Sequence, residues 1–342
     1  MKANLLNSTF ADVFLKDNNL VLPKIYRKNH CITVPSILEY VSPWNISTAI
    51  SHLKKSVSQT PDYVPSLYIQ KTSEQLIEPL LIIFNHSIRT SQIPKLWKKA
   101  IVVPIFKKGK MNDTKNYRPI SLTSVFCRLL ERIIHSQLFS HLRNNKIISP
   151  AQHGFMKKRS TQTQQIKFMD KITSHYDKNQ QLEIVYLDFS KAFDKVSHYK
   201  LLHVLSQIKL HPQLIKWIRN YLSDRSQITS VDSSYSKSVA ISSGVPQGSV
   251  LGPLLFILYI QDLIDTIHAE CKDTTIYAFA DDVKLLSTNQ ADLQKALDIV
   301  SNWTQNWKLL LNTMKSEHLT LRSKIPVSLN IGSTPIPKVQ HV

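Results

Sequence analysis

One stretch of this chain leaves its fold little freedom. Residues 182–187, Leu-Glu-Ile-Val-Tyr-Leu, are a nearly continuous apolar run of strand length that ends on Asp188. Such a run is the pattern of a strand buried on both faces, with further strands beside it and helices over it. Farther along, two short strand-like runs at 274–279 and 283–286 flank Ala280-Asp281-Asp282, a hairpin with carboxylates at its tip. If that hairpin pairs with 182–187, three carboxylates meet at one sheet edge. Such a cluster repels itself unless cations occupy it, and hard oxygen ligands with open positions suit Mg²⁺. An isolated Asp-Asp pair is ordinarily a solvated turn, so the spacing alone leaves both readings open.

The remaining elements are unevenly defined. Residues 1–90 are rich in Ser, Asn, Thr and Pro, with scattered clusters such as Val34-Pro35, and read as a partly loose extension with short helices at 46–57 and 73–88. The β-branched run 100–105 predicts a strand, followed by an exposed basic turn, Phe106-Lys107-Lys108-Gly109-Lys110. Phe126, Leu129, Leu130, Ile133, Ile134 and Leu138 form one stripe of a long helix over 122–142, with Ser121 or Thr123 available as N-cap. Helices are expected at 199–208 and 212–222, a hairpin in the serine-rich stretch 223–238, and a turn-rich loop at 244–248. Pro253 is placed to open an apolar helix over 254–267. Leu293, Leu297, Val300, Thr304 and Trp307 mark a last helical stripe before Asn312 and Lys315.

Charge narrows the class of partner. Lys and Arg number 43 against 24 Asp and Glu, a net charge of +19, which draws polyanions through counterion release. Nucleic acid is the expected partner, a merely basic surface the plainer alternative. At 342 residues and 42% hydrophobic content the chain can bury a sizeable core in two or three subdomains. Cys31, Cys127 and Cys271 show neither disulfide nor metal-ligand spacing, as expected of an intracellular, reducing compartment. The longest apolar run, 250–260, is broken by Gly252-Pro253 and is well short of the roughly 20 residues of a bilayer span, so no membrane partner is expected and the chain reads as soluble.

Several blocks occur together and in order: Val-Val-Pro-Ile-Phe-Lys-Lys-Gly at 102–109, Asn-Tyr-Arg-Pro-Ile-Ser-Leu at 116–122, and Gln-His-Gly-Phe at 152–155 with Arg159-Ser160-Thr161. Tyr-Leu-Asp-Phe-Ser-Lys-Ala-Phe-Asp follows at 186–194, Gly-Val-Pro-Gln-Gly-Ser-Val-Leu-Gly-Pro at 244–253, Phe-Ala-Asp-Asp at 279–282, and Leu-Asn-Thr-Met-Lys-Ser-Glu at 311–317. In these blocks the chain resembles the reverse transcriptase domain of non-LTR (LINE-type) retrotransposons. The resemblance implies an α+β right-hand polymerase fold, its antiparallel palm sheet backed by helices. It implies fingers at 91–180, a palm at 181–320 with 223–245 inserted toward the fingers, and the start of a primer-grip region at 321–342, truncated before the thumb.

It also implies roles. Asp188, Asp281 and Asp282 would be the catalytic, metal-binding triad for two Mg²⁺ ions, with Mn²⁺ a possible substitute. Lys107, Lys108 and Arg118 resemble the cations that hold the incoming dNTP, Phe193 the aromatic gate against a ribose 2′-hydroxyl, and Gln247 the glutamine that contacts the nucleotide. Lys158, Arg159, Gly244 and Gly248 correspond to positions near template and primer. Lys315 stands where a lysine protonates the leaving pyrophosphate. The implied partners are an RNA template, a DNA primer or target, and dNTPs, met in the nucleus or in a cytoplasmic ribonucleoprotein. Phe279 replaces the family's usual Tyr, and Met156 and Lys158 stand where Arg and Gly are frequent. A catalytically silent nucleic-acid-binding remnant of such an element is the alternative from a different class.

Overall fold

The computed structural model describes residues 1–15, 21–25, 41–58, 60–322 and 327–339; Cys31, the Val34-Pro35 cluster and parts of 321–342 lie outside the described residues. Backbone contacts divide the described residues into two compact units, one within Met1–Leu20, Ile32–Asn145 and Phe193–Leu255, the other within Val21–Cys31, Lys146–Ala192 and Phe256–Val342.

The first unit is built on a mixed sheet. Strand Lys99–Phe106 pairs antiparallel with Tyr117–Thr123 and parallel with Arg225–Val231, which in turn pairs antiparallel with Ser234–Tyr235 and Val239–Ile241. Pairing of Ala100 with Thr123 uses residues through Thr123 as strand, so the long helix begins after the expected 122 and neither Ser121 nor Thr123 caps it. It runs Val125–Asn144, and its N-cap is Ser124, whose Oγ accepts the Cys127 N–H at 3.0 Å. The expected helix 46–57 is shorter and earlier, Pro43–Ser51, because Ser42 forms a capping box with Asn45 and Pro43 occupies the first turn.

The polar beginning of the chain is less loose than its composition implies. Lys2–Ala11 is a helix anchored through buried Asn7, whose Oδ1 accepts from Gln227 Nε2 at 3.1 Å and Thr229 Oγ1 at 3.0 Å while its Nδ2 donates to the Lys237 carbonyl at 2.9 Å. Polar residues here satisfy buried sheet residues, which hydropathy patterns do not reveal.

The second unit carries the buried strand. Leu182–Leu187 lies at the centre of a five-stranded sheet, with Asp282–Ser287 and then Thr275–Phe279 on one side and Glu317–Leu321 on the other. These pairs are all antiparallel, and Lys338–Val339 joins Glu317–Leu321 in parallel at the edge. Burial of Leu182, Ile184, Val185 and Leu187 accounts for the nearly continuous apolar run. Helix Thr161–Asp177 contributes Phe168 to a core with Leu182, Ile184 and Leu286. From Phe256 onward, helix Gly252–Glu270 is nearly all core, and its Tyr259 hydroxyl donates to the Trp307 carbonyl of helix Gln290–Trp307 at 2.5 Å. Glu183 and His318 meet inside the sheet in a hydrogen bond of 2.6 Å between Oε2 and Nε2, both buried. Hydrogen bonds from His318, Gln181 and Thr320 together outweigh burial and hold the Glu183 carboxyl below its ordinary pKa.

Candidate active site

Strand register in the second unit decides where the carboxylates stand. Leu187 faces Val283 across the central antiparallel pair, so one more step along each strand sets Asp188 opposite Asp282. Phe279 pairs with Asp282, which leaves Ala280 and Asp281 as the two residues of the turn. Two-residue hairpin turns require a left-handed residue, and Ala280 supplies it at φ +56°. Beyond its strand, Asp188 is tied to the segment that carries Lys315: the Asn312 N–H donates to the Asp188 carbonyl at 2.7 Å, and the Asp188 N–H donates to Ser316 Oγ at 3.3 Å.

Asp188, Asp282 and Lys315 line one open cleft of about 540 Å³, together with Tyr186, Phe279, Lys284 and the polar Thr161, Gln162 and Gln165 of the first turns of helix Thr161–Asp177. Partial desolvation, and then the negative charge of Asp188, raise the pKa of the Asp282 carboxyl against the opposing pull of Lys284. A cation is the group that relieves this repulsion, and the hard oxygen donors fit a divalent ion. No three acidic, His or Cys side chains among the described residues stand close enough to hold an ion on their own. The register brings Asp188 and Asp282 together at the cleft, and Asp281 stands in the adjoining turn rather than among the residues that line it.

Lys284 is a cleft residue that motif reading missed. Its Nζ lies 4.5 Å from the Phe168 ring centroid and 5.4 Å from that of Tyr186, and it donates to Gln165 Oε1 at 3.2 Å. Its signal was one of period, since its side chain must share a sheet face with Asp282, two residues away. In the same unit Lys158 is exposed. Arg159 turns its guanidinium onto its own loop, donating through Nη1 to the carbonyls of Pro150, at 3.0 Å, and Gln152.

The other expected residues belong to the first unit. Lys107 and Lys108 are exposed in the loop between two antiparallel strands, and Arg118, paired with Ile105, is exposed on the second of them. Half-buried Phe193 sits in the short 3₁₀ turn Ala192–Lys195. The Gly-Val-Pro-Gln-Gly loop is fastened to that turn: the Val245 N–H donates to the Phe193 carbonyl and the Gly244 N–H to the Val196 carbonyl, both at 2.8 Å. Gly244 has φ +86°, and a side chain there would meet the Asp194 carbonyl oxygen at 2.7 Å. Gly248 has φ +96° and lies directly against the Ser121 carbonyl. Both glycines therefore serve a close approach of the loop to the chain's own backbone.

Gln247 Nε2 donates to Asp194 Oδ1 at 2.6 Å. Asp194 closes the 186–194 block, yet nothing in the sequence paired it with a glutamine so far along the chain. Glu131 also escaped motif reading. Buried in the long helix, it accepts the N–H groups of Val250 at 2.7 Å and Leu251 at 3.0 Å, where helix Gly252–Glu270 begins. A larger apolar hollow of about 830 Å³, beside Leu81–Lys95, holds none of these residues.

Residues 105–336 match the reverse transcriptase (RNA-dependent DNA polymerase) family. This chain belongs to that family. Among its relatives are the RNA-directed DNA polymerase from mobile element jockey of Drosophila melanogaster, 28% identical over 316 residues, 86% of this chain and 34% of the relative. Another is the probable RNA-directed DNA polymerase from transposon BS of the same fly, 32% identical over 298 residues, 84% of this chain and 33% of the relative. The Pol polyprotein from type-1 retrotransposable element R2 of Popillia japonica is 28% identical, over 69% of this chain and 34% of its own length. The chain thus spans about a third of the length of the curated relatives it matches. The non-LTR retrotransposon affinity expected from the motif blocks is borne out. In fold, the reverse transcriptase domain resembles apo telomerase from Candida tropicalis truncated from the C-terminal domain, with a TM-score of 0.52 at 12% identity, covering 78% of this chain and 58% of that one. The α+β right-hand polymerase architecture is borne out with it. Reverse transcriptases generally use divalent metal ions, in keeping with the donor set of the cleft. No helix among the described residues is long and apolar enough to cross a membrane.

Proposed function

We propose that the chain catalyses RNA-directed DNA synthesis, adding dNTPs to a primer 3′-hydroxyl on an RNA template. The observation that carries this reading is the register that sets Asp188 opposite Asp282, with Asp281 in the adjoining turn and Lys315 in the same cleft. Asp188, Asp281 and Asp282 would hold two Mg²⁺ ions, or Mn²⁺ in their place. Bound there, the ions supply activation of the 3′-hydroxyl and neutralisation of the charge that builds on the leaving pyrophosphate.

The chain's own residues do the rest. Lys315 stands at the cleft as a proton donor for the pyrophosphate oxygen, and Lys284 offsets the carboxylate charge. Arg118, Lys107 and Lys108 bind triphosphate, the arginine as a bidentate fork and the lysines as point charges. Phe193 occupies the volume a 2′-hydroxyl would need, and Gln247 offers its amide to the nucleotide. Lys158 contacts template phosphate, a contact that positions without specifying sequence. Arg159, with Gly244 and Gly248, shapes the loops beside template and primer.

The test is extension of a DNA primer annealed to RNA at low salt with Mg²⁺, since phosphate contacts weaken as salt rises. Wild-type chain should extend the primer and Asp281→Asn should not. RNA binding without extension by either would mark a silent binding remnant instead.

A further inference from the structure

The Gln-His-Gly block at 152–154 has no part in the chemistry above, yet it lies against the turn that carries Asp281. The Ala278 N–H donates to the Ala151 carbonyl at 3.0 Å and the His153 N–H donates to the Ala278 carbonyl at 2.7 Å, so residues 151–153 run as a short parallel bridge along the outer edge of strand Thr275–Phe279. This places the fully buried Gln152 side chain under the turn, where its Oε1 accepts from the Ala280 N–H at 2.9 Å and from the Gly154 N–H at 2.8 Å. Gly154 presses on the same turn: a Cβ there would collide with the Ala280 nitrogen and stand 2.9 Å from the Phe279 carbonyl carbon. From the other side, Arg159 holds the Gln152 carbonyl.

Two features show that this arrangement does more than fill space. Ala280 adopts a left-handed conformation that alanine disfavours, and such a residue persists only where its surroundings over-determine it. The Gln152 amide, moreover, uses only its oxygen: its Nε2 is buried without a hydrogen-bond partner among the described residues. A methionine of similar shape would fill the space without burying an idle donor, so the acceptor is what the site requires.

Resting on the reverse transcriptase reading, we infer that Gln152 is a positioning residue for the metal-binding carboxylates, fixing through the Ala280 N–H the turn from which Asp281 and Asp282 project. Mutually repelling carboxylates spread apart unless their backbone is held, and Gln152 with Gly154 supplies that hold.

The test uses Gln152→Met, which keeps the shape and removes the acceptor, Gln152→Glu, which restores an acceptor oxygen, and Gly154→Ala, which pushes directly on the Ala280 nitrogen. Mn²⁺ affinity of the chain on an RNA–DNA primer–template is read from loss of the free-ion electron paramagnetic resonance signal. The Mg²⁺ concentration for half-maximal extension, RNA affinity and the urea midpoint are measured alongside. Gln152→Met and Gly154→Ala should each weaken Mn²⁺ binding about tenfold or more and raise the Mg²⁺ requirement by a similar factor, with RNA affinity unchanged and Gln152→Glu largely restored. Wild-type Mn²⁺ affinity in folded Gln152→Met overturns the inference. If that variant does not fold, wild-type Mn²⁺ affinity in Gly154→Ala overturns it. A wild-type chain that binds RNA but neither extends primers nor takes up Mn²⁺ defeats the polymerase reading instead, which separates the two failures.

Discussion

Asp194 accepts a hydrogen bond from Gln247 across 53 residues of chain, Oδ1 to Nε2 at 2.6 Å. An ionised carboxylate only accepts, so the bond decides which end of the Gln247 amide faces Asp194 and leaves its Oε1 turned elsewhere. The adjoining backbone bonds from Val245 to the Phe193 carbonyl and from Gly244 to the Val196 carbonyl, each 2.8 Å, make the turn that carries Phe193 and the loop that carries Gln247 one assembly.

Removing that carboxylate should weaken nucleotide binding and leave RNA binding intact. A hydrogen bond to a charged group is worth about 1.5–3 kcal/mol, so Asp194→Ala should raise the dNTP KM by about tenfold or more. Asp194→Asn still offers an acceptor and should fall between. Steady-state extension over a dNTP series checks this, with an unchanged KM in Asp194→Ala the contrary result.

Within that assembly the Phe193 carbonyl accepts the Val245 N–H, a backbone bond that survives a change of side chain. Phe193→Val or Phe193→Ala should admit ribonucleotides, lowering the dNTP-over-rNTP ratio of kcat/KM by about 10²-fold. Competing single-nucleotide incorporations give the ratio directly. Undiminished sugar discrimination would remove the gate role.

Glu183 gives the sheet a defined acid response. Its folded pKa lies below the ordinary glutamate value of 4.5, so its contribution to stability is fully present above that value and is lost as pH falls through the lowered folded pKa. Urea midpoints between pH 6 and about pH 3 should fall more steeply for wild type than for Glu183→Gln. Parallel curves would mean that the His318 pair carries no net stability.

Glu131 serves the fold of the first unit, holding the chain where helix Gly252–Glu270 begins. Glu131→Ala leaves the buried Leu251 N–H and the part-buried Val250 N–H without their acceptor and should cost about 2–4 kcal/mol of unfolding free energy. Glu131→Gln, which retains one amide oxygen, should cost less, as chemical denaturation will show.

What could be read from the sequence follows from where each element gets its stability. The central strand announced itself because both its faces are buried, and the Asp-Asp hairpin because its flanking runs have strand period; pairing the two then set the carboxylates in register. Helix Thr161–Asp177 stayed hidden because only Gln164 and Phe168 of it are buried, too few for a stripe. The docking of helix Lys2–Ala11 through Asn7 depends on polar partners more than 200 positions away, and no local pattern records them. Asp194 and Gln152 were visible as members of motif blocks, but their work is to hold Gln247 and Ala280, and only the folded chain supplies those partners.

The most direct measurement of the central claim is single-nucleotide incorporation opposite each of the four bases of an RNA template, with Mg²⁺, by wild type and by Asp188→Asn. The expected result is addition of the complementary dNTP alone by wild type and none by the variant. Addition that ignores the template base, or equal addition by Asp188→Asn, would contradict the account.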